Sequence, residues 1–223
     1  KEFFFEMEVG FSNELSLFQL NDHPKPELMF NEKYPFFTGS SEYMKEHFRK
    51  FSEYLKNNYL GSNSKLIEIG SNDGTLLKNF IDQKDNILGF EPSKNVADLA
   101  KADGVPTTNE FFNSENASKY KNFLGQTDAI FASNCICHIP DLNNLIKGID
   151  LLLSKNGTFI FEEPYLGSMF EKTSYDQIYD EHIYMFSLSS ISKIFSLYDF
   201  ELVDALPQIT HGGSMRYIIK RKG

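Results

Sequence analysis

The sequence has no tryptophan, only two cysteines and no long apolar run, and each shortage closes off a class of protein. Cys135 and Cys137 are one residue apart, too close for an ordinary disulfide and too few for a cysteine-rich zinc site, so both are expected to stay reduced. No stretch approaches the roughly 18 apolar residues of a membrane helix, and the N-terminus lacks the basic, apolar and small-residue order of a secretory signal. A cytoplasmic location without membrane contact is therefore the expectation. Basic residues are also in the minority. With 22 Lys and Arg against 31 Asp and Glu, the net charge of -9 argues against a chain that holds nucleic acid by charge. The first residue is Lys1 rather than methionine, so flanking sequence is kept in view.

What is present is an ordinary globular composition, 41% apolar and 24% charged, which excludes a disordered or fibrous chain. A length of 223 residues suits one compact core with an appendage. With 22 Phe and 11 Tyr, most large apolar contacts must be aromatic.

Residues 1–60 are expected to form an N-terminal segment, and residues 61–223 the main domain. The first 30 residues read as irregular or short-strand structure, broken at Pro24 and Pro26. Tyr43, Met44, Phe48, Phe51 and Leu55 then recur at helical spacing, predicting an amphipathic helix over 41–59 capped by Ser40 or Ser41. Beyond it the pattern alternates. Strands are expected at 65–69, 87–91, 105–107, 128–133 and 158–162, with helices at 74–83, 95–103 and 142–153 between them. A helix to about Tyr198 and two strands, 200–205 and 214–220, close the chain. This βαβ repetition implies a doubly wound α/β sheet, parallel except for an antiparallel C-terminal strand.

The string LIEIGSNDGTLL, residues 66–77, reads as strand, glycine-bearing turn and helix. Gly70 and Gly74 allow close backbone approach to a ligand, and the helix start is expected to offer free N–H groups. Glu91 closes the next strand, where a carboxylate suits a ribose diol. Nicotinamide and S-adenosylmethionine (SAM) enzymes share this arrangement. No GxGxxG occurs and Asn72 stands in the turn, which favours SAM and leaves a nicotinamide oxidoreductase a poor alternative.

Seven segments in order, EIGSNDG, GFEPS, NEFF, SNCICHIPDLN, FEEPYLG, SYDQIYDEH and HGGSMR, resemble the sugar C-methyltransferases that act on nucleotide-activated deoxysugars. The likeness runs from about Leu17 to the end of the chain. It is nearest to the carbon-3 methyltransferases of dTDP-linked 4-keto sugars, the class that includes the tetronitrose enzyme. It implies a Rossmann-like fold and SAM as methyl donor. Gly70, Ser71, Asn72 and Gly74 would lie along the SAM amino acid and ribose, and Glu91 with Pro92 would hold the ribose. Glu110 and Phe111 would border the adenine, and Asn134 ends the fourth strand at the ligand edge of the sheet. Plain alternatives are a solvated acid for Glu91 and simple core for Phe111 and Phe112.

Methylating carbon requires removal of a proton beside a carbonyl and stabilisation of the resulting enolate. In YDEH, Tyr179 and His182 are three apart, which places both on one face of a helical turn. The resemblance makes His182 the base and Tyr179 the donor to the oxyanion, with Glu181 or another acid orienting the imidazole. His138 is a second candidate for the base, or else a histidine bonded to loop backbone. Tyr34 matches a family tyrosine that closes over substrate, and Arg216 is a candidate phosphate ligand.

The chain departs from the family at its start. Ser12 and Leu15 stand where a CxxC would precede the LFQL run, so no zinc and no other metal is expected. The family also continues past HGGSxR into a second α/β domain, and this chain stops at Gly223. The leading expectation is a carbon-3 methyltransferase of a nucleotide-linked keto sugar, with the missing domain removed, supplied by a partner subunit, or replaced by action on a different, smaller substrate. A SAM-dependent methyltransferase of another small molecule and a SAM-binding fragment without independent activity are the alternatives.

Overall fold

The computed structural model describes residues 6–223, so the first five residues of the expected N-terminal segment lie outside it. In chain order the first elements are β1 (Val9–Ser12), β2 (Leu17–Leu20), α1 (Pro26–Met29), α2 (Glu42–Asn58), β3 (Leu66–Ile69), β4 (Ile87–Phe90), α3 (Lys94–Ala102) and β5 (Thr107–Thr108). There follow α4 (Ser114–Ala117), β6 (Thr127–Ser133), α5 (Leu142–Leu152), β7 (Leu153–Pro164) and α6 (Leu166–Lys172). The chain closes with β8 (Tyr184–Met185), α7 (Leu188–Ser196), β9 (Phe200–Gln208) and β10 (Ser214–Arg221).

Seven strands form one sheet in the order β5-β4-β3-β6-β7-β10-β9. Strand β3 pairs in parallel with β4 and β6, β4 pairs in parallel with β5, and β10 runs antiparallel to β9. The chain adopts the expected mixed α/β Rossmann-like sheet with its antiparallel end. Every residue of β3 and β4 is buried, because strands covered on both faces take continuous apolar runs. Strand order reverses between β3 and β6, and such a switch point leaves a crevice at the carboxyl ends of the strands.

The helix expected over 41–59 forms as α2, with Ser41 as its cap, accepting the Met44 N–H at 3.3 Å. Its spacing buries Phe48, Phe51 and Leu55 on one side. The helix expected over 74–83 does not form. Leu77–Asn86 is instead 3₁₀ structure broken at Phe80 and Gln83. There the Asn79 amide donates to the carbonyls of Thr75 (3.1 Å) and Leu76 (2.9 Å), a local side-chain bond that competes with helical geometry. Strand β7 starts at Leu153, five residues before the expected strand, directly after α5. The LFQL run is β2 of a separate three-stranded sheet, β1-β2-β8, in which Phe18 and Gln19 face Met185 and Tyr184. Local pattern cannot show a pairing across so many residues.

The described chain falls into two compact units, one of residues up to Met29 with Ser133–Leu142 and Ile160–Gly223, the other of Phe30–Ala132 with Asn143–Phe159. Each has an aromatic core, as the phenylalanine content required. In the second, Phe131 on β6 meets Phe51 at 6.3 Å and Phe80 at 6.1 Å between ring centroids, and Phe90 meets Phe112 edge-on at 5.0 Å. Phe112 is therefore core. In the first, Phe161 stacks on Tyr217 at 4.8 Å and packs against Phe186 and Phe195. Among the described residues no helix is long and apolar enough to cross a membrane.

Truncating Phe131 to alanine is expected to cost about 3–5 kcal/mol in urea unfolding, the usual range for a buried aromatic. Phe170→Ala, at a side chain 75% exposed, is expected to stay within about 0.5 kcal/mol of the parent.

Candidate active site

In the unit of Phe30–Ala132 and Asn143–Phe159, the turn after β3 is built on positive φ angles at Gly70 (69°), Asn72 (48°) and Gly74 (75°). An asparagine tolerates this region because its short side chain can bond locally. Here the Asn72 Oδ1 accepts the Thr38 N–H at 2.8 Å, and its Nδ2 donates to the Phe36 carbonyl. Asp73 takes the Gly39 N–H at 2.7 Å and the Thr75 hydroxyl at 2.5 Å. The segment before α2 is thus fastened onto the turn. Tyr34, in that segment, accepts from the Asn95 amide through its carbonyl and lies 5.3 Å from the Phe30 ring.

Most of the N–H groups of this turn are already engaged. Those of Gly70 and Ser71 go to the Phe90 carbonyl, that of Gly74 to Ser71, and that of Asn72 to Glu91 Oε2 at 3.0 Å. The cause is a turn rich in side-chain acceptors that closes on itself, with no α-helix beginning at Gly74. Ser71 is buried, and its hydroxyl occupies the space a Cβ on Gly89 would need, so it packs beneath the turn.

Glu91 stands just past β4 and is buried. Its Oε2 holds Asn72 and its Oε1 accepts the Ser93 N–H at 2.7 Å. Burial pushes its pKa up, opposed by these hydrogen bonds. Each carboxylate oxygen keeps a second acceptor position, so this acceptor pair fits the vicinal hydroxyls of a ribose, which would donate to it. Pro92 and Glu91 both accept from Asn109 through their carbonyls. Glu110 is tied to Thr108, Tyr120 and Lys119. Burial works against its charge, yet these partners hold its carboxyl below the usual range. Phe111 is half-buried, and its carbonyl receives the Asn116 amide. A third acid here, Glu68 on β3, was not anticipated. It is buried, its Oε2 has no hydrogen-bond partner, and burial with Asp73 and Glu91 nearby pushes its pKa far up. A cleft of about 610 Å³ in this unit, lined by Asp73, Thr75, Lys45 and Arg49 among others, does not include Gly70 or Glu91.

In the other unit, Tyr179, His182, His138 and Glu181 come together. Tyr179–His182 is a single hydrogen-bonded turn, His182 N–H to Tyr179 O at 3.0 Å, rather than part of a helix. The three-residue spacing still brings the side chains into contact, with the Tyr179 hydroxyl 2.9 Å from His182 Nε2. His182 Nδ1 lies 2.8 Å from the Gln177 carbonyl, which can only accept, so Nδ1 carries the proton. Burial, then the neighbouring His138, lowers the His182 pKa to about 4. The ring is therefore neutral at pH 7, with its lone pair on Nε2 and the tyrosine donating to it. Tyr179 is 38% exposed, and burial and Glu181 raise its pKa, so it stays a phenol.

The expected carboxylate partner is replaced by main chain. Gln177 orients His182, and Glu181 acts through its carbonyl, which receives His138 Nδ1 at 2.6 Å. His138 lies 5.2 Å from His182 between ring centroids, and burial lowers its pKa. Its Nδ1 is bonded to loop backbone. Asn134, just past β6, has φ 48° and gives its N–H to the Glu162 carbonyl.

Arg216 is not a free phosphate ligand. Its Nε lies 2.7 Å from Glu162 Oε1, and the two side chains are 7% and 2% exposed, a buried pair that needs both members. The HGGS loop is a 3₁₀ turn whose His211 also takes a positive φ. Glu163, beside Glu162, was not anticipated either. Its Oε1 accepts successive N–H groups from Cys135 (2.9 Å), Ile136 (2.6 Å) and Cys137 (3.4 Å), pinning the turn that carries His138. Burial pushes its pKa up to about 7, and its Oε2 is unpartnered. The readable signal was an acid at the end of an apolar strand, as for Glu91.

The unit of Phe30–Ala132 and Asn143–Phe159 thus carries a switch-point turn closed by a buried strand-end acid, and the unit that holds Ile160–Gly223 carries a neutral imidazole–phenol pair. Residues 40–205 match the model of the methyltransferase domain family, and the chain belongs to that family. The C-methyltransferase NovU of Streptomyces niveus is 27% identical over 215 residues, covering 96% of this chain and 51% of the relative. The chain thus spans about half the length of that relative. Among solved structures, a SAM-dependent methyltransferase from Anabaena variabilis aligns with a TM-score of 0.56 at 19% identity, over 78% of this chain and 84% of that one. Magnesium protoporphyrin IX methyltransferase from Synechocystis, with bound SAH, aligns at 0.56 and 14%, over 80% and 83%. These two likenesses show the fold. The expectation of a methyltransferase agrees with the family membership.

Glu163 generates a pH test. Its folded pKa lies above the unfolded value, so the folded state binds the extra proton and loses stability as pH rises from about 4.5 to about 7. The difference in unfolding free energy between Glu163→Gln and the parent is expected to shift by on the order of 3 kcal/mol in the variant's favour between pH 4 and pH 8. A pH-independent difference in chemical denaturation would contradict the assignment.

Proposed function

We propose that this chain is a SAM-dependent C-methyltransferase that methylates carbon 3 of a nucleotide-linked, dTDP-type 4-keto deoxysugar through an enolate. The observation that carries the reading is the His182–Tyr179 pair: a neutral, buried imidazole whose lone pair meets a phenol that reaches solvent. Family membership and the likeness to a C-methyltransferase support it, as do the seven ordered segments.

On this reading His182 Nε2 takes the proton from the carbon beside the carbonyl once the Tyr179 hydroxyl has turned from Nε2 to the substrate oxygen. The Gln177 carbonyl keeps the ring aimed throughout. A base with a pKa near 4 is fully unprotonated at neutral pH, and the enolate charge formed beside it stabilises the imidazolium. Tyr179, kept protonated, donates to the developing oxyanion. Glu163 and His138 hold the adjoining turn in register. Bound SAM supplies a methyl group already activated on sulfonium. Gly70, Ser71, Asn72, Gly74, Glu91 and Pro92 would flank its amino acid and ribose, with Glu110 and Phe111 near the adenine and Asn134 at the strand edge. Tyr34 would cover the substrate.

The test is incubation with SAM and a dTDP-4-keto-6-deoxysugar, with NMR of the product for a new carbon–carbon bond. The expected result is a methyl group on carbon 3, a loss of about 10²-fold or more in rate for His182→Ala, and SAM affinity within about twofold of the parent by calorimetry. Near-parental turnover by that variant, or a methyl group on oxygen, would overturn the proposal.

A further inference from the structure

Cys137 plays no part in the chemistry above, yet one donor atom from each of Cys137, His138 and His182 lies within 4.8 Å of the others. The thiol comes from the 3₁₀ turn Ile136–His138, and the turn ending at His182 is joined to it by the Ile183 N–H donating to the Cys137 carbonyl at 3.0 Å. Both imidazoles give Nδ1 to main-chain carbonyls, Glu181 for His138 and Gln177 for His182. Metal-binding histidines are commonly held in this way, one ring nitrogen on a carbonyl and the other on the ion.

We infer that Cys137, His138 and His182 form a binding site for a soft divalent cation, Zn²⁺ before Mg²⁺ or Ca²⁺. Thiolate with imidazole selects such ions, and three protein ligands leave one coordination position open. Zinc bonds of about 2.3 Å to sulfur and about 2.0 Å to nitrogen require donors about 3.3–3.6 Å apart, so the side chains must close by about 1 Å. The ion takes the place of the Tyr179 proton on His182 Nε2. The Cys137 proton leaves to solvent as the sulfur–metal bond forms. The loaded form has no lone pair on His182, so a chain that uses this nitrogen as a base is inhibited by the ion and restored by a chelator. Binding itself does not depend on that use.

The experiment titrates Co²⁺ into the chelator-treated chain and follows absorption, with Zn²⁺ as competitor. The expected result is one ion per chain, a thiolate-to-cobalt band in the near ultraviolet and strong visible bands of four-coordinate cobalt, all displaced by Zn²⁺. Cys137→Ser removes the near-ultraviolet band, and His182→Ala, which deletes a ligand, weakens binding by more than the roughly 10- to 100-fold that losing a partner outside the coordination shell costs. Cys135→Ser keeps both properties, and circular dichroism of each variant reports its fold. No stoichiometric binding by the parent, binding unchanged in both Cys137→Ser and His182→Ala, or loss of the band in Cys135→Ser would overturn the inference.

Discussion

The hydrogen bond from His182 Nδ1 to the Gln177 carbonyl is the constraint on which the candidate site rests. A carbonyl has no proton to give, so the bond fixes the tautomer and leaves the Nε2 lone pair to meet Tyr179. Burial then keeps the ring uncharged. The bond lies within a short turn that is anchored at its C-terminal flank. Ile183 donates to Cys137, and Leu20 of the N-terminal sheet donates to Ile183 at 2.8 Å. The three-stranded sheet thus belongs to the support of the imidazole, which explains why residues far apart in sequence are packed at this place.

The two units solve the same backbone problem in one way. After β3 an asparagine with φ 48° starts the turn and its N–H is taken by Glu91, from the end of the neighbouring strand β4. After β6 another asparagine with φ 48° starts the turn, and the next three N–H groups are taken by Glu163 of β7. In each case a buried carboxyl replaces water as the partner of main-chain donors that leave the strand ladder. Both acids carry raised pKa values, because burial disfavours their charge more than the N–H groups favour it. The acids therefore shape the loops at which an α/β sheet of this topology binds ligands.

Much of this was legible in the sequence, for identifiable reasons. Strands buried on both faces give continuous apolar runs, so β3, β4 and β6 stood out, and the periodicity of α2 marked both its face and its Ser41 cap. The spacing of Tyr179 and His182 correctly implied contact, although a single turn rather than a helix provides it. Other points depend on which atom of a residue faces its neighbour, and a sequence does not carry that. Glu181 works through its carbonyl, Ser71 turns its hydroxyl under the turn, and Arg216 is held by Glu162. The Leu77–Asn86 segment was misread because Asn79 satisfies backbone carbonyls that a helix would use. The β1-β2-β8 sheet was missed because its register is set by residues more than 160 positions away.

The most direct test of the central claim is nitrogen-15 NMR of the imidazole of His182, assigned with His182→Gln as the blank. The expected spectrum shows Nδ1 protonated and Nε2 bare at pH 7, with titration only near pH 4. A ring protonated on both nitrogens at pH 7, or one carrying its proton on Nε2, would contradict the account of a neutral imidazole aimed by the Gln177 carbonyl.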